Sequence, residues 1–148
     1  VAFTKAYTIG FTGKTAQDFF GLLKRNGIQR LLDVRLNNTS QLSGFTKKHD
    51  LSYFVSELVG AEYVHEPLLA PTSDILKSYQ NRDFDWDEYT RRFLVLMRDR
   101  SIEQRIPRLL FDRPTVLLCS EPTAERCHRR LVVEYLARAW GDLEAVHL

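Results

Sequence analysis

Apolar and polar positions along the chain change their period several times, and each change marks an element. Ala6-Tyr7-Thr8-Ile9 is a short β-rich run that stops at Gly10, which predicts a first strand. Beyond Gly13-Lys14 the spacing turns helical, with Ala16, Phe19, Phe20 and Leu23 on one face. Thr15 and Asp18, three residues apart, resemble a capping box with Asp in place of Glu. Asn26-Gly27 ends that helix, because both residues tolerate a left-handed cap. Arg30 to Val34 is a second apolar run. Strand, helix and strand in succession make a βαβ unit and a parallel pair. Residues 35–50 are polar without a clear period, and a loop of that length in a compact domain is usually functional. Leu51, Phe54, Val55, Leu58 and Val59 restore the helical stripe, with Asp50 as the expected N-cap and Gly60 as the stop. Glu62 to His65 reads as a third strand, ended at Pro67.

In the second half, Asp74 to Tyr79 is a short helix. Trp86, Tyr89, Phe93, Leu96 and Met97 then give a strong amphipathic helix whose aromatic stripe reads as core. Pro107 interrupts the mixed stretch from Ile102 to Phe111. Thr115 to Cys119 is almost continuously apolar, the mark of a central parallel strand buried on both faces. Thr123 is the expected cap of a last helix that runs to Trp140, and Glu144 to Leu148 is a terminal edge strand. Alternating strands and helices predict an α/β fold: a mostly parallel sheet of about four to five strands with helices on both faces. Ligands in such sheets sit beyond the carboxyl ends of the strands. Gly10 to Gly13, Asp33 to Arg35, His65-Glu66 and Cys119 to Glu121 are therefore expected along one edge.

Composition adds mainly exclusions. The chain has 148 residues, 44% hydrophobic and 27% charged, with no repeat or low-complexity tract, which fits a single α/β domain over 1–148. No apolar run approaches the ~18–20 residues that cross a bilayer. Val1 to Ile9 lacks the basic and long apolar regions of a secretory leader. Two cysteines are too few for a disulfide framework, so a cytoplasmic location and no membrane partner are expected. The net charge of +2 is no nucleic-acid signature. Most arginines alternate with acids, as on solvated helix faces, but Arg126, Arg129 and Arg130 crowd beside the cysteines.

That stretch, Cys119 to Arg130, is the richest in chemistry. Cys119 ends a strand, and Cys127 is expected in the first turn of the next helix. A helix N-terminus and nearby arginines both favour the thiolate. The plainer alternative is two small buried hydrophobes. A cysteine-phosphatase loop would need an arginine six positions after Cys119, where Glu125 stands, and a rhodanese-type loop is opposed by Glu121 and Pro122. Metal is not expected either: Cys127 and His128, adjacent on a helix, would point about 100° apart. His128 and His65 are acid–base candidates, because the histidine side chain ordinarily titrates near neutrality. Asp33 is a candidate orienting group, or a partner in an ion pair with Arg35 or Arg129. Gly10 and Thr12, before a helix, stand where an anion cradle forms, although the full phosphate-loop fingerprints are missing.

Tyr7-Thr8-Ile9-Gly10, Leu32-Asp33-Val34-Arg35, Tyr63-Val64-His65, Cys119-Ser120-Glu121 and Cys127-His128-Arg129 together resemble domain-of-unknown-function family 488. The resemblance covers nearly the whole chain. It implies a Rossmann-like α/β domain with a site at Asp33, Arg35, His65, Cys119, Glu121, Cys127, His128 and Arg129. It names no activity and no cofactor. The chain departs from many members at Gly10-Phe11-Thr12, where they carry Gly-His-Ser. It departs again at Asn37-Asn38, where they carry a proline, and at Pro67 to Pro71, where they carry Leu-Gly-Gly.

Two classes of function follow. In the first, the chain is a small enzyme acting on a polar or anionic, nucleotide-like substrate. Cys119 or Cys127 is then the nucleophile, His128 the acid–base partner, Asp33 or Glu121 the orienting carboxylate, and Arg35 and Arg129 the anion contacts. In the second, it binds a nucleotide or nucleic acid through its arginine-rich face, Tyr53, Phe54 and Lys47-Lys48-His49, or senses redox state through the cysteine pair.

Overall fold

The computed structural model describes residues 3–39, 44–121 and 124–148. Strands β1 (Thr4–Gly10), β2 (Arg30–Asp33), β3 (Glu62–His65), β4 (Thr115–Cys119) and β5 (Leu143–His147) form one sheet in the order β3-β2-β4-β1-β5. Every neighbouring pair is parallel. The α/β expectation therefore holds, and all the strands end at one edge. β4 is buried along its whole length between β1 and β2, as its unbroken apolar run requires.

The helices are α1 (Ala16–Arg25), α2 (Lys48–Phe54), α3 (Ser73–Gln80), α4 (Trp86–Asp99), the short α5 (Ile102–Arg105) and α6 (His128–Trp140). They bury two cores on opposite faces of the sheet. One joins Phe19, Phe20, Leu23, Leu51 and Val55 to Ile9, Leu31, Val116 and Leu118. The other joins Tyr89, Phe93, Met97, Leu131 and Leu136 to Ala6, Leu32, Leu117 and Cys119. The split follows the strand period: Val116 and Leu118 point to one face of β4, Leu117 and Cys119 to the other. Cys119 therefore faces the layer of α4 and α6.

Several local expectations are met. Thr15 caps α1 by accepting from the Asp18 amide, and Gly27 takes the left-handed position beyond it. Others are corrected. Asp50 lies inside the first turn of α2, and the N-cap is Lys47. Its acid still suits that place, because a first-turn carboxylate meets the positive end of the helix dipole. The polar stretch 35–50 is not all loop: Gly44–Thr46 form a 3₁₀ turn that leads into α2. Past Phe54 the helix widens into a π-turn, Val55–Val59, and stops at left-handed Gly60. Thr123 lies outside the described residues, but α6 begins only at His128, with Cys127 as its N-cap.

The connection after β2 runs outward to β3, while the one after β4 runs the other way to β5. These two strands are neighbours, so their diverging connections open a crevice at their carboxyl ends.

Candidate functional site

A cleft of about 390 Å³ occupies that crevice. Its floor holds Cys119, Cys127 and His128, with Ser120 and Glu121 beside them. Phe11, Thr12 and Arg35 form one wall, and Tyr79, Trp86 and Tyr89 the other.

The second wall is built by the aromatic stripe of α4. Tyr89 and Phe93 are core residues, as the pattern predicts. One turn earlier, Trp86 is half-buried and stacks on Tyr89 at 14° and 5.0 Å between ring centres. Tyr79, from α3, leans on both rings. The stripe that packs Phe93 and Met97 into the core thus brings Trp86 and Tyr89 to the cleft at its start. Nothing in the spacing distinguishes the two roles.

Asp33 and Arg35 pair with each other rather than with Arg129. Both are buried, and the Arg35 guanidinium donates from Nε to Asp33 Oδ1 at 2.8 Å and from Nη2 to Oδ2 at 2.9 Å. Tyr63 Oη also donates to Oδ2, and burial together with Asp33 pushes its phenol above the usual range. Arg35 Nη2 reaches the Thr46 carbonyl at 2.7 Å, which ties the 3₁₀ turn to the strand end. Asp33 does not line the cleft; it fixes Arg35, which does. Only Nη1 of Arg35 stays outside these bonds. His65 holds the Arg35 carbonyl at 3.1 Å and also stays outside the cleft.

In the first loop Thr12 borders the cleft, while two of the amides that an anion could use are engaged within the protein. The Thr12 amide donates to the Ser120 carbonyl at 3.1 Å, and the Lys14 amide donates to Phe11 at 3.0 Å. Gly10 serves close approach. A Cβ there would stand 1.5 Å from the Glu121 carbonyl oxygen and 2.7 Å from Arg129 Nη1. The chain after β4 can cross β1 only over a residue without a side chain.

The cysteine cluster is tighter than the expected helix geometry allows. Cys127 is an N-cap with extended backbone, φ −137° and ψ 138°, so the helical 100° offset from His128 does not apply. The sulfurs of Cys119 and Cys127 are joined in a disulfide across Cα atoms 7.4 Å apart. Both residues are almost fully buried, yet both border the cleft. His128 donates from Nε2 to the Val34 carbonyl at 2.7 Å, since a carbonyl can only accept. Nδ1 is therefore its lone-pair nitrogen. Burial pushes His128 down to about 4, so the ring is neutral at pH 7.

Arg129 is fully buried directly behind the pair. Its Nη1 donates to Cys119 Sγ at 3.1 Å and to the Glu121 carbonyl at 2.7 Å. Nε and Nη2 have no partner, and among the described residues no carboxylate forms an ion pair with it. Burial lowers it to about 10, which leaves it charged at neutral pH. The Glu121 carboxylate acts on it only from a distance, so no anion touches this buried cation, and such a charge is costly.

Residues 15–136 match the family described as Domain of unknown function DUF488. The chain belongs to this family. The DUF488 match includes β2, β3, β4 and the whole span from Cys119 to Arg129, and leaves β1 and β5 outside. No curated protein and no solved structure matches the chain. No helix among the described residues is long and apolar enough to cross a membrane.

Proposed function

We propose that the chain is an enzyme acting on a small polar or anionic, nucleotide-like substrate in this cleft, with reduced Cys119 as its thiolate nucleophile. One observation carries the reading. Arg129, buried and with no carboxylate in contact among the described residues, donates to Cys119 Sγ. A thiolate there supplies a negative charge in direct contact, and the guanidinium in turn favours the thiolate over the thiol. Cys127 Sγ, within bonding reach, is the partner that closes the resting disulfide. In the reduced protein, Cys119 forms a bond to an electrophilic carbon of the substrate, and the leaving group departs with its electron pair. His128 Nδ1 accepts a proton or positions a polar group of the substrate. The Trp86 and Tyr89 wall suits a planar ring. Arg126 and the uncommitted Nη1 of Arg35 suit an anionic group. Glu121, exposed on the floor, contacts polar substrate atoms.

The test is the pH profile of alkylation on the reduced protein, read cysteine by cysteine by peptide mass spectrometry. Cys119 should titrate well below the ordinary ~8.5, and Arg129→Met should move it upward. Two thiols that stay inert until the protein unfolds, or a profile unmoved in Arg129→Met, would sink the mechanism.

The disulfide favours a second reading, a redox sensor without turnover. In that case the oxidised and reduced forms differ in ligand affinity, and a screen of electrophilic substrates finds no turnover that depends on Cys119.

A further inference from the structure

Cys119 Sγ, Cys127 Sγ and a ring nitrogen of His128 all lie within 4.8 Å of one another, at the floor of the cleft. We propose that in the reduced protein these three groups bind one thiophilic cation of the zinc class, with the fourth coordination position open to the cleft. This goes beyond the nucleophile reading and does not rest on it: with the cation in place, the two sulfurs are ligands rather than attacking groups.

Four features point the same way. The Cα atoms of the two cysteines are 7.4 Å apart, wider than the usual ~4.4–6.8 Å of disulfides. Two thiolates on a tetrahedral ion, with metal–sulfur bonds of ~2.3 Å, stand further apart than bonded sulfurs and suit the wider backbone spacing. His128 is prepared as a ligand, because its Nε2–H is held by the Val34 carbonyl and Nδ1 keeps the lone pair. A hydrogen bond from the second ring nitrogen to a carbonyl is the usual support of a metal-bound imidazole. The extended N-cap backbone at Cys127 lets consecutive residues converge, which a helical Cys127 would forbid.

The fourth feature is charge. Two thiolates and a neutral imidazole balance a divalent ion. An anionic fourth ligand, such as hydroxide or a carboxylate entering from the cleft, then adds one negative charge beside Arg129. That residue is the buried guanidinium with no carboxylate in contact among the described residues, already hydrogen-bonded to Cys119 Sγ. The set of two sulfurs, one imidazole and an open position is that of a catalytic zinc site, whereas closed structural sites use four protein ligands.

The experiment uses the full chain, reduced anaerobically with a water-soluble phosphine. The phosphine takes up oxygen from water and becomes its oxide, while the sulfurs receive two electrons and two protons. After the phosphine is removed, Co²⁺ is titrated as the spectroscopic probe. The expected result is saturation at one ion per chain, with sulfur-to-cobalt charge-transfer bands and the intense visible bands of a tetrahedral ion. Zn²⁺ should abolish these bands and protect Cys119 and Cys127 from iodoacetamide. His128→Ala should weaken binding about tenfold or more, and Cys119→Ser should remove the charge-transfer signal of one thiolate. A wild-type titration without saturation or without charge-transfer bands overturns the proposal, whatever the variants do. So does affinity unchanged in His128→Ala. Failure here, with a low Cys119 titration midpoint in the metal-free protein, leaves the nucleophile reading standing. One tight ion per chain with an ordinary midpoint does the reverse.

Discussion

Charge placement at single residues decides what the crevice can do. Asp33 and Arg35 neutralise each other, so their buried pair is a support for the wall. Removing one charge leaves the other buried, and Asp33→Asn should cost about 3–5 kcal/mol in urea unfolding. That substitution should also loosen Gly44–Thr46, because Arg35 loses the partner that aims it at the Thr46 carbonyl. Arg129 is the opposite case, a cation left for something else to balance. Gly10 makes that arrangement sterically feasible. Gly10→Ala drives a methyl into the Glu121 carbonyl, a backbone atom, and should destabilise the fold by about 3 kcal/mol. An unchanged unfolding midpoint in Gly10→Ala would mean that β1 and the chain after β4 do not approach as closely as described.

At the scale of elements, α4 has two duties. Its later turns bury Phe93 and Met97 in the core, and its first turn presents Trp86 to the cleft. That first turn depends on Asp85, whose Oδ1 accepts from the Glu88 amide at 2.9 Å. Asp85→Ala should cost about 1 kcal/mol of stability. Because the loss falls on the end carrying Trp86, ligand affinity should drop more than global stability implies. Amide exchange would show the fraying confined to the first turn; uniform exchange along α4 would contradict it. α6 works differently. It begins one residue after Cys127, so the strand that delivers Cys119 and the cap that delivers Cys127 meet at one point. Neither element alone makes a site.

For the whole molecule, pH is the variable that reads two histidines, His128 and His147. Burial holds His128 down at about 4. His147, at the far side of the sheet and bonded to Thr8 Oγ1, is also lowered, first by burial and then by Arg129. A histidine with a depressed folded value binds protons more readily when unfolded. Stability of the metal-free protein should therefore rise with pH between about 4 and the unfolded value near 6.5, and level off above it. His128 alone should contribute about 3 kcal/mol across that window. Urea unfolding of wild type and His128→Gln at several pH values checks this, since the variant should show a shallower slope. Equal slopes would place the His128 ring in water.

The chain's own residue order determined most of the architecture. Strand and helix periods repeat locally, and the caps at Thr15, Gly60 and Gly141 are chemical signals within a few residues of the ends they mark. For the same reason Asp33, Cys119, Cys127 and His128 were recognisable as candidates: strand ends of a parallel sheet are where chemistry collects. Tertiary structure alone decided their partners. Asp33 chose Arg35 over Arg129, His128 found the Val34 carbonyl 94 residues away, and Gly10 makes room for the chain that crosses it. The aromatic stripe of α4 divided into core, at Phe93, and cleft wall, at Trp86. Periodicity states which residues share a face of an element; it carries no record of what that face meets, because that contact is set by strand order and by the length of the chain in between.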